Sequence, residues 1–248
     1  MAREDISIRT RDGDCRAFVF TPSSGSGPWP AVILFMDGLA IRPQLMKMGQ
    51  RMADGGYVVL LPDLFYRAGP YEPIDPKTAF ASGDVRKVLG PLLASTDSRR
   101  AGVDDTEAFL AYIDTRKDVA GKKVGTTGYC MGGAISLTAA ATYPDRIAAA
   151  ASFHGGNLAS DSPLSPHLLA SKMKGRIYVA AAVEDPYYPP EMAETLEKTL
   201  SDAGVDHRCE VYEGALHGWT MPDAPVYNEA AAERHWKELF ALYAATLH

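Results

Sequence analysis

Residues 124–137 read VGTTGYCMGGAISL. An apolar, strand-like run leads into Gly128-Tyr129-Cys130-Met131-Gly132-Gly133, and a small-residue run of helical character follows over 134–142. The pattern is that of a nucleophile elbow, G-x-nucleophile-x-G, with cysteine where serine is usual. Its requirement is steric. A turn from strand to helix this sharp brings the chain back on itself, and a Cβ two positions either side of the nucleophile would clash, so Gly128 and Gly132 occupy those positions. A buried cysteine ahead of an Ala-rich core helix fits the same six residues, because free Cys is among the most buried residue types. The surroundings must decide between the two.

Working outward, the segments before and after the elbow alternate between strand and helix. Ile6, Ile8 and residues 15–20 flank Arg11-Asp12-Gly13-Asp14, the signature of an antiparallel hairpin at one edge. Residues 31–36 (AVILFM) and 57–61 are apolar on both faces, as central parallel strands are. A helix is expected over 42–53, stopped by Gly55-Gly56. From 67 to about 98 the periodicity weakens, with a short helix over 84–93, and long irregular excursions in compact domains tend to carry function. Further helices are expected over 101–115, 191–203 and 226–247, and further strands over 122–129, 147–153, 176–183 and 207–212. The expectation is a single α/β domain over 1–248: a mostly parallel sheet with an antiparallel N-terminal edge and helices on both faces.

Composition limits the function classes. The 248 residues are 46% hydrophobic and 23% charged, as in ordinary globular chains, with a net charge of -6. No basic footprint points to nucleic acid or to an anionic membrane surface, and no apolar run spans a bilayer. Cys15, Cys130 and Cys209 are odd in number and widely spaced, which suits neither a disulfide framework nor a zinc site. A reducing, cytoplasmic setting is expected, for a monomer or weak homodimer that takes a small-molecule substrate.

In such sheets ligands bind at the carboxyl ends of the strands. Asp37, Cys130, Asp185 and His217 each follow a different expected strand, and the order nucleophile, acid, base is that of α/β-hydrolase triads. This favours a catalytic Cys130. A free thiol of pKa ~8.5 is little ionised at neutral pH, so it needs a base or a positive field. His217 would accept and return the proton, and Asp185 would hold the imidazole in the useful tautomer. The following helix N-terminus would favour negative charge, and the N–H groups of Met131 and Gly38 would form an oxyanion hole, each typically worth ~3 kcal/mol. No metal or organic cofactor is required. Glu184 competes with Asp185 for the acid role. His207 falls within a strand pattern, His235 and His248 fall on the last helix in a solvent setting, and Cys15 and Cys209 read as packing residues.

With these residues in hand, the sequence resembles the dienelactone hydrolase family of the α/β-hydrolase superfamily. The resemblance rests on Gly-Tyr-Cys-Met-Gly-Gly at 128–133, Glu-Asp-Pro-Tyr-Tyr-Pro-Pro at 184–190 and Tyr-Glu-Gly-Ala-Leu-His-Gly-Trp at 212–219. It implies a Cys130, His217, Asp185 triad that opens an ester or lactone, with dienelactone as the family substrate. The position where family members often carry a thiol-activating glutamate is Asp37 here, one methylene shorter, so either a direct contact or a second-sphere role is open to it. Family members hold a substrate carboxylate with arginines; Arg42, Arg67 and Arg86 are the candidates. Phe65, Tyr66, Tyr187 and Trp219, with His154, are expected around the substrate. A broader carboxylesterase or thioesterase on the same triad, and a non-catalytic binding protein of the same fold, are the alternatives.

Overall fold

The computed structural model describes residues 2–72, 74–82 and 85–247, and the side chains at 2, 85 and 86 lie outside the described set. Among the described residues the strands are β1 (Ala2–Arg9), β2 (Asp14–Thr21), β3 (Trp29–Phe35), β4 (Val58–Pro62), β5 (Val119–Tyr129), β6 (Ile147–Phe153), β7 (Arg176–Ala182) and β8 (His207–Tyr212). They form one sheet in the order β1-β2-β4-β3-β5-β6-β7-β8. The polar turn after Arg9 makes β1 and β2 a hairpin, with Ile8 opposite Cys15. β2 runs antiparallel to β4, and every pair from β4 to β8 is parallel. This is an α/β-hydrolase fold with the antiparallel N-terminal edge that the hairpin signal requires.

The helices are α1 (Pro43–Asp54), α2 (Pro76–Ala81), α3 (Val85–Leu93), α4 (Thr106–Thr115), α5 (Met131–Thr142), α6 (Pro190–Asp202) and α7 (Glu229–Thr246). Adjacent residues of a strand point to opposite faces. On β5, a Cβ at Gly125 would meet Tyr243 of α7 at 2.6 Å, whereas the next residue, Thr126, hydrogen-bonds Ser136 of α5 at 2.8 Å. The two helices therefore cover opposite faces. α1 joins α7 on its face: Arg51 pairs with Glu233 at 2.7 and 2.6 Å and lies 4.7 Å over Trp236. The apolar run of β3 explains its central place, since Val32, Ile33, Leu34 and Phe35 are completely buried between the layers.

Several expectations are corrected. The helix expected over 101–115 is divided, with a π-helical stretch over Ser98–Asp105 ahead of α4; Gly102 lies against Thr138 of α5 there, and Asp105 turns inward to Arg67. The irregular excursion holds α2, capped by Asp75, and α3 begins at Val85, with Asp84 outside the described residues. A 3-10 segment over Pro166–Lys172 went unforeseen. α7 starts later than expected because Asn228 caps it, accepting the Ala231 N–H at 3.1 Å. His235 is fully buried rather than solvated, and His248 lies outside the described residues. Among the described residues no helix is long and apolar enough to cross a membrane.

Candidate active site

The elbow between β5 and α5 is closed by three close approaches. A Cβ at Gly128 would lie 1.8 Å from the Gly132 carbonyl oxygen, and one at Gly132 would lie 2.5 Å from that of Phe35. Gly133 is equally constrained, since its Cβ would meet Ser152 Oγ at 2.3 Å, a demand of β6 that the elbow pattern does not carry. Cys130 itself sits at φ 54°, ψ -116°, a conformation that costs on the order of 1–3 kcal/mol and persists only where its surroundings enforce it. Met131 opens α5, so its N–H has no acceptor within the helix.

His217, in the loop after β8, is brought to the elbow. Asp185, only 2% exposed, accepts the Tyr187 N–H at 2.9 Å on Oδ1 and His217 Nδ1–H at 2.7 Å on Oδ2. Glu184 is exposed and sits at φ 51°, so Asp185 rather than Glu184 meets the imidazole. The other ring nitrogen, Nε2, is buried with no hydrogen-bond partner, and Cys130 acts on the charge of the ring. Burial opposes a charged ring, but the interactions with Cys130 and then Asp185 override it and push the His217 pKa up to about 10.

Asp37 behaves differently from the expected thiol-activating carboxylate. Arg42 donates to Asp37 Oδ1 at 2.6 Å and to Oδ2 at 2.9 Å, and Oδ1 also accepts the Leu39 N–H at 3.0 Å. Both oxygens are thus engaged by a buried cation, which gives Asp37 a loop-bracing role. Arg42 also donates to Asp223 at 2.7 and 3.3 Å and to the Ala40 carbonyl at 3.3 Å. With every N–H taken, Arg42 is not available to hold a substrate carboxylate. It ties the loop after β3 to the loop that follows His217.

A cavity of about 620 Å³ opens over Cys130. Asp37, Gly38, Met131, His154, Tyr187 and His217 line its polar end, and Leu39, Phe80, Leu89, Leu93, Met221 and Ala224 supply an apolar wall. Phe65 is instead fully buried in the core, edge-on to Tyr71. The Tyr66 hydroxyl bonds Thr10 at 2.6 Å and donates to Asp105 at 3.0 Å, away from the cavity. Arg67 is likewise held by Asp105 and Asp12. Trp219 is fully buried, stacked on Tyr212 and edge-on to His154 at 5.0 Å, so it backs the site without lining it. The side chain of Arg86 lies outside the described residues. Among the described residues no Lys or Arg lines the cavity, and no group of three or more His, Cys, Asp or Glu side chains could hold a metal ion.

Sequence reasoning missed Phe80 and Leu89, which come from the aperiodic excursion it had marked, and Met221 and Thr220, which follow His217 without any signature. Thr220 Oγ1 lies 2.8 Å from His154 Nε2. His154 is 1% exposed, and its Nδ1 accepts the Cys130 N–H at 3.2 Å.

The family model described as the Dienelactone hydrolase family matches residues 15–247. A Synechocystis protein provisionally named carboxymethylenebutenolidase is 27% identical over 226 residues, covering 89% of this chain and 88% of that protein. An Escherichia coli protein of the same provisional name is 28% identical, covering 94% of this chain and 83% of its own. Among solved structures, a dienelactone-hydrolase-like promiscuous phosphotriesterase from metagenomic libraries shares the fold at a TM-score of 0.76 and 22% identity, with both chains covered in full. The dienelactone hydrolase of Anabaena variabilis shares it at 0.64 and 17% identity, covering 100% of this chain and 99% of its own. With the family model matched across nearly its whole length, this chain belongs to the dienelactone hydrolase family and is a hydrolase of the ester and lactone class.

Proposed function

We propose that the protein opens a small ester or lactone through an acyl-thiol intermediate on Cys130, with His217 as the acid–base and Asp185 as its orienting carboxylate. The observation that carries this reading is the bond from His217 Nδ1 to Asp185 at 2.7 Å, which leaves Nε2 for the sulfur of a cysteine on a strained elbow. The thiolate attacks the carbonyl carbon, forming the C–S bond, and the negative oxygen is received by the N–H groups of Met131 and Gly38. As the intermediate collapses the C–O bond breaks, and His217 gives its proton to the departing oxygen. Water then attacks the thioester, His217 takes the water proton, and C–S cleavage releases the acid and restores the thiolate–imidazolium pair. The nucleophile must stay a thiol, in keeping with a reducing, cytoplasmic compartment.

The dienelactone itself is the family-derived substrate. A broader carboxylesterase or thioesterase activity on the same triad is favoured by two observations: the donors of Arg42 and Arg67 are engaged by carboxylates, and the cavity wall is apolar. Hydrolysis of a small activated aryl ester and of a dienelactone by the wild type and by Cys130→Ala tests the reading. Loss of both activities in the variant is expected, and equal rates in the two proteins would reject the thiol nucleophile. A kcat/KM for the neutral ester at or above that for the anionic lactone would select the broader esterase.

A further inference from the structure

His154 stands at the end of β6, between the two loops that carry the nucleophile and the base. Its backbone is in the left-handed region, at φ 39°, and its N–H is anchored on the Ala180 carbonyl at 2.8 Å. The tautomer of its ring follows from its partners. A backbone N–H can only donate, so the nitrogen that faces Cys130 N–H at 3.2 Å, Nδ1, is bare. In a neutral ring the proton then sits on Nε2, which donates to Thr220 Oγ1 at 2.8 Å. The Cys130 N–H is shared with the Phe153 carbonyl at 3.2 Å, so His154 supplies one of the two acceptors of the strained residue's N–H.

The ring also touches the base. It meets His217 edge-to-face at 5.2 Å and Trp219 at 5.0 Å, and His217 also meets Tyr187 edge-to-face at 4.9 Å. Burial first, then His217, His235 and Arg42, hold the His154 pKa well below its ordinary range. A second cation beside the imidazolium is thereby avoided, and Nδ1 stays an acceptor.

We propose that His154 is a positioning residue, locked by Thr220 in the Nε2–H tautomer so that its bare Nδ1 fixes the Cys130 backbone and its ring fixes the plane of His217. Thr220 is three residues beyond His217, so the Cys130–His154–Thr220 chain sets the register between β5 and the His217 loop. Loss of the Thr220 hydroxyl frees the ring to carry its proton on Nδ1, where donor would face donor at Cys130.

The catalytic half of this role rests on Cys130 being the nucleophile; the tautomer does not, and the two are read separately. In Thr220→Val, kcat on an activated aryl ester is expected to fall about 10- to 100-fold with KM within about twofold, as for a small misplacement of reacting groups. Thr220→Ser is expected to restore most of the loss. Long-range proton–nitrogen NMR of the wild type at neutral pH is expected to find the His154 proton on Nε2. A Thr220→Val kcat within about twofold of wild type, a loss carried by KM, failure of Thr220→Ser to rescue, or a proton on Nδ1 would each overturn the proposal. Full turnover by Cys130→Ala would instead reject the nucleophile, and the NMR result would still decide the tautomer.

Discussion

At Cys130 the chain accepts an unfavourable backbone so that its sulfur stands clear of strand and helix, and three glycines make the turn possible. The closest approach is at Gly128, whose Cβ would lie within bonding distance of the Gly132 carbonyl. Gly128→Ala is therefore expected to destabilise the fold by about 4 kcal/mol or more, or to prevent soluble expression, and urea unfolding measures it. The role proposed for Asp185 is in chemistry rather than in folding of the turn. Asp185→Asn removes the carboxylate that holds Nδ1–H and supports the imidazolium, so kcat is expected to fall roughly 10³- to 10⁴-fold with little change in KM, read from steady-state kinetics. The two elbow glycines were legible in the sequence, because an elbow is a local steric problem and they stand two positions either side of Cys130. The need for Gly133 was not, since it is set by Ser152 on the neighbouring strand.

The loops after β3 and after β8 are joined by the buried Arg42 between Asp37 and Asp223. Removing one member of a buried pair leaves the others uncompensated, so Arg42→Ala is expected to lower stability by about 3–5 kcal/mol. Asp37→Asn separates bracing from thiol activation: its unfolding midpoint should fall, while the rate of thiol alkylation against pH should overlay the wild type. A shifted alkylation profile would return Asp37 to the role that the family position implies. This network illustrates why part of the site was hidden in the sequence. Asp37 could be picked out because it follows a strand. Its partnership with Arg42, five residues on, depends on how the intervening loop folds back, and Asp223 is 181 residues from Arg42. The same limit applies to aromatic residues: Phe65, Tyr66 and Trp219 follow strands as Tyr187 does, and only packing separates the three that face the core or its edge from the one that meets the cavity.

At the scale of the whole molecule, the described residues form an eight-stranded sheet whose carboxyl edge gathers residues from β3, β5, β6, β7 and β8. That gathering was legible from apolar runs and chain order alone, whereas the π-helical stretch at 98–105 and the buried place of His235 were not. His235, on α7, donates from Nδ1 to the Ala232 carbonyl and accepts the Tyr129 hydroxyl on Nε2 at 3.0 Å. Burial is the leading cause that lowers its pKa to about 3 from 6.5. The unfolded chain binds a proton there across that range and the folded chain does not. Burial of this ring therefore costs nothing through titration above pH 6.5 and lowers stability progressively as pH falls toward 3. Urea unfolding between about pH 7 and 4 should show a shallower loss of stability in His235→Phe than in the wild type, by up to one proton in slope.

The sulfur of Cys130 carries the central claim, and the acyl group it is proposed to receive can be weighed directly. Wild-type protein mixed with an activated acetyl ester, quenched in acid within the first turnovers and digested with trypsin should carry one added acetyl on the peptide 124–146, on Cys130 and not on Cys15 or Cys209. The label should be absent in Cys130→Ala and should persist longer in His217→Asn, where deacylation lacks its base. An acetyl group on another residue, or full hydrolysis by Cys130→Ala, would contradict the account.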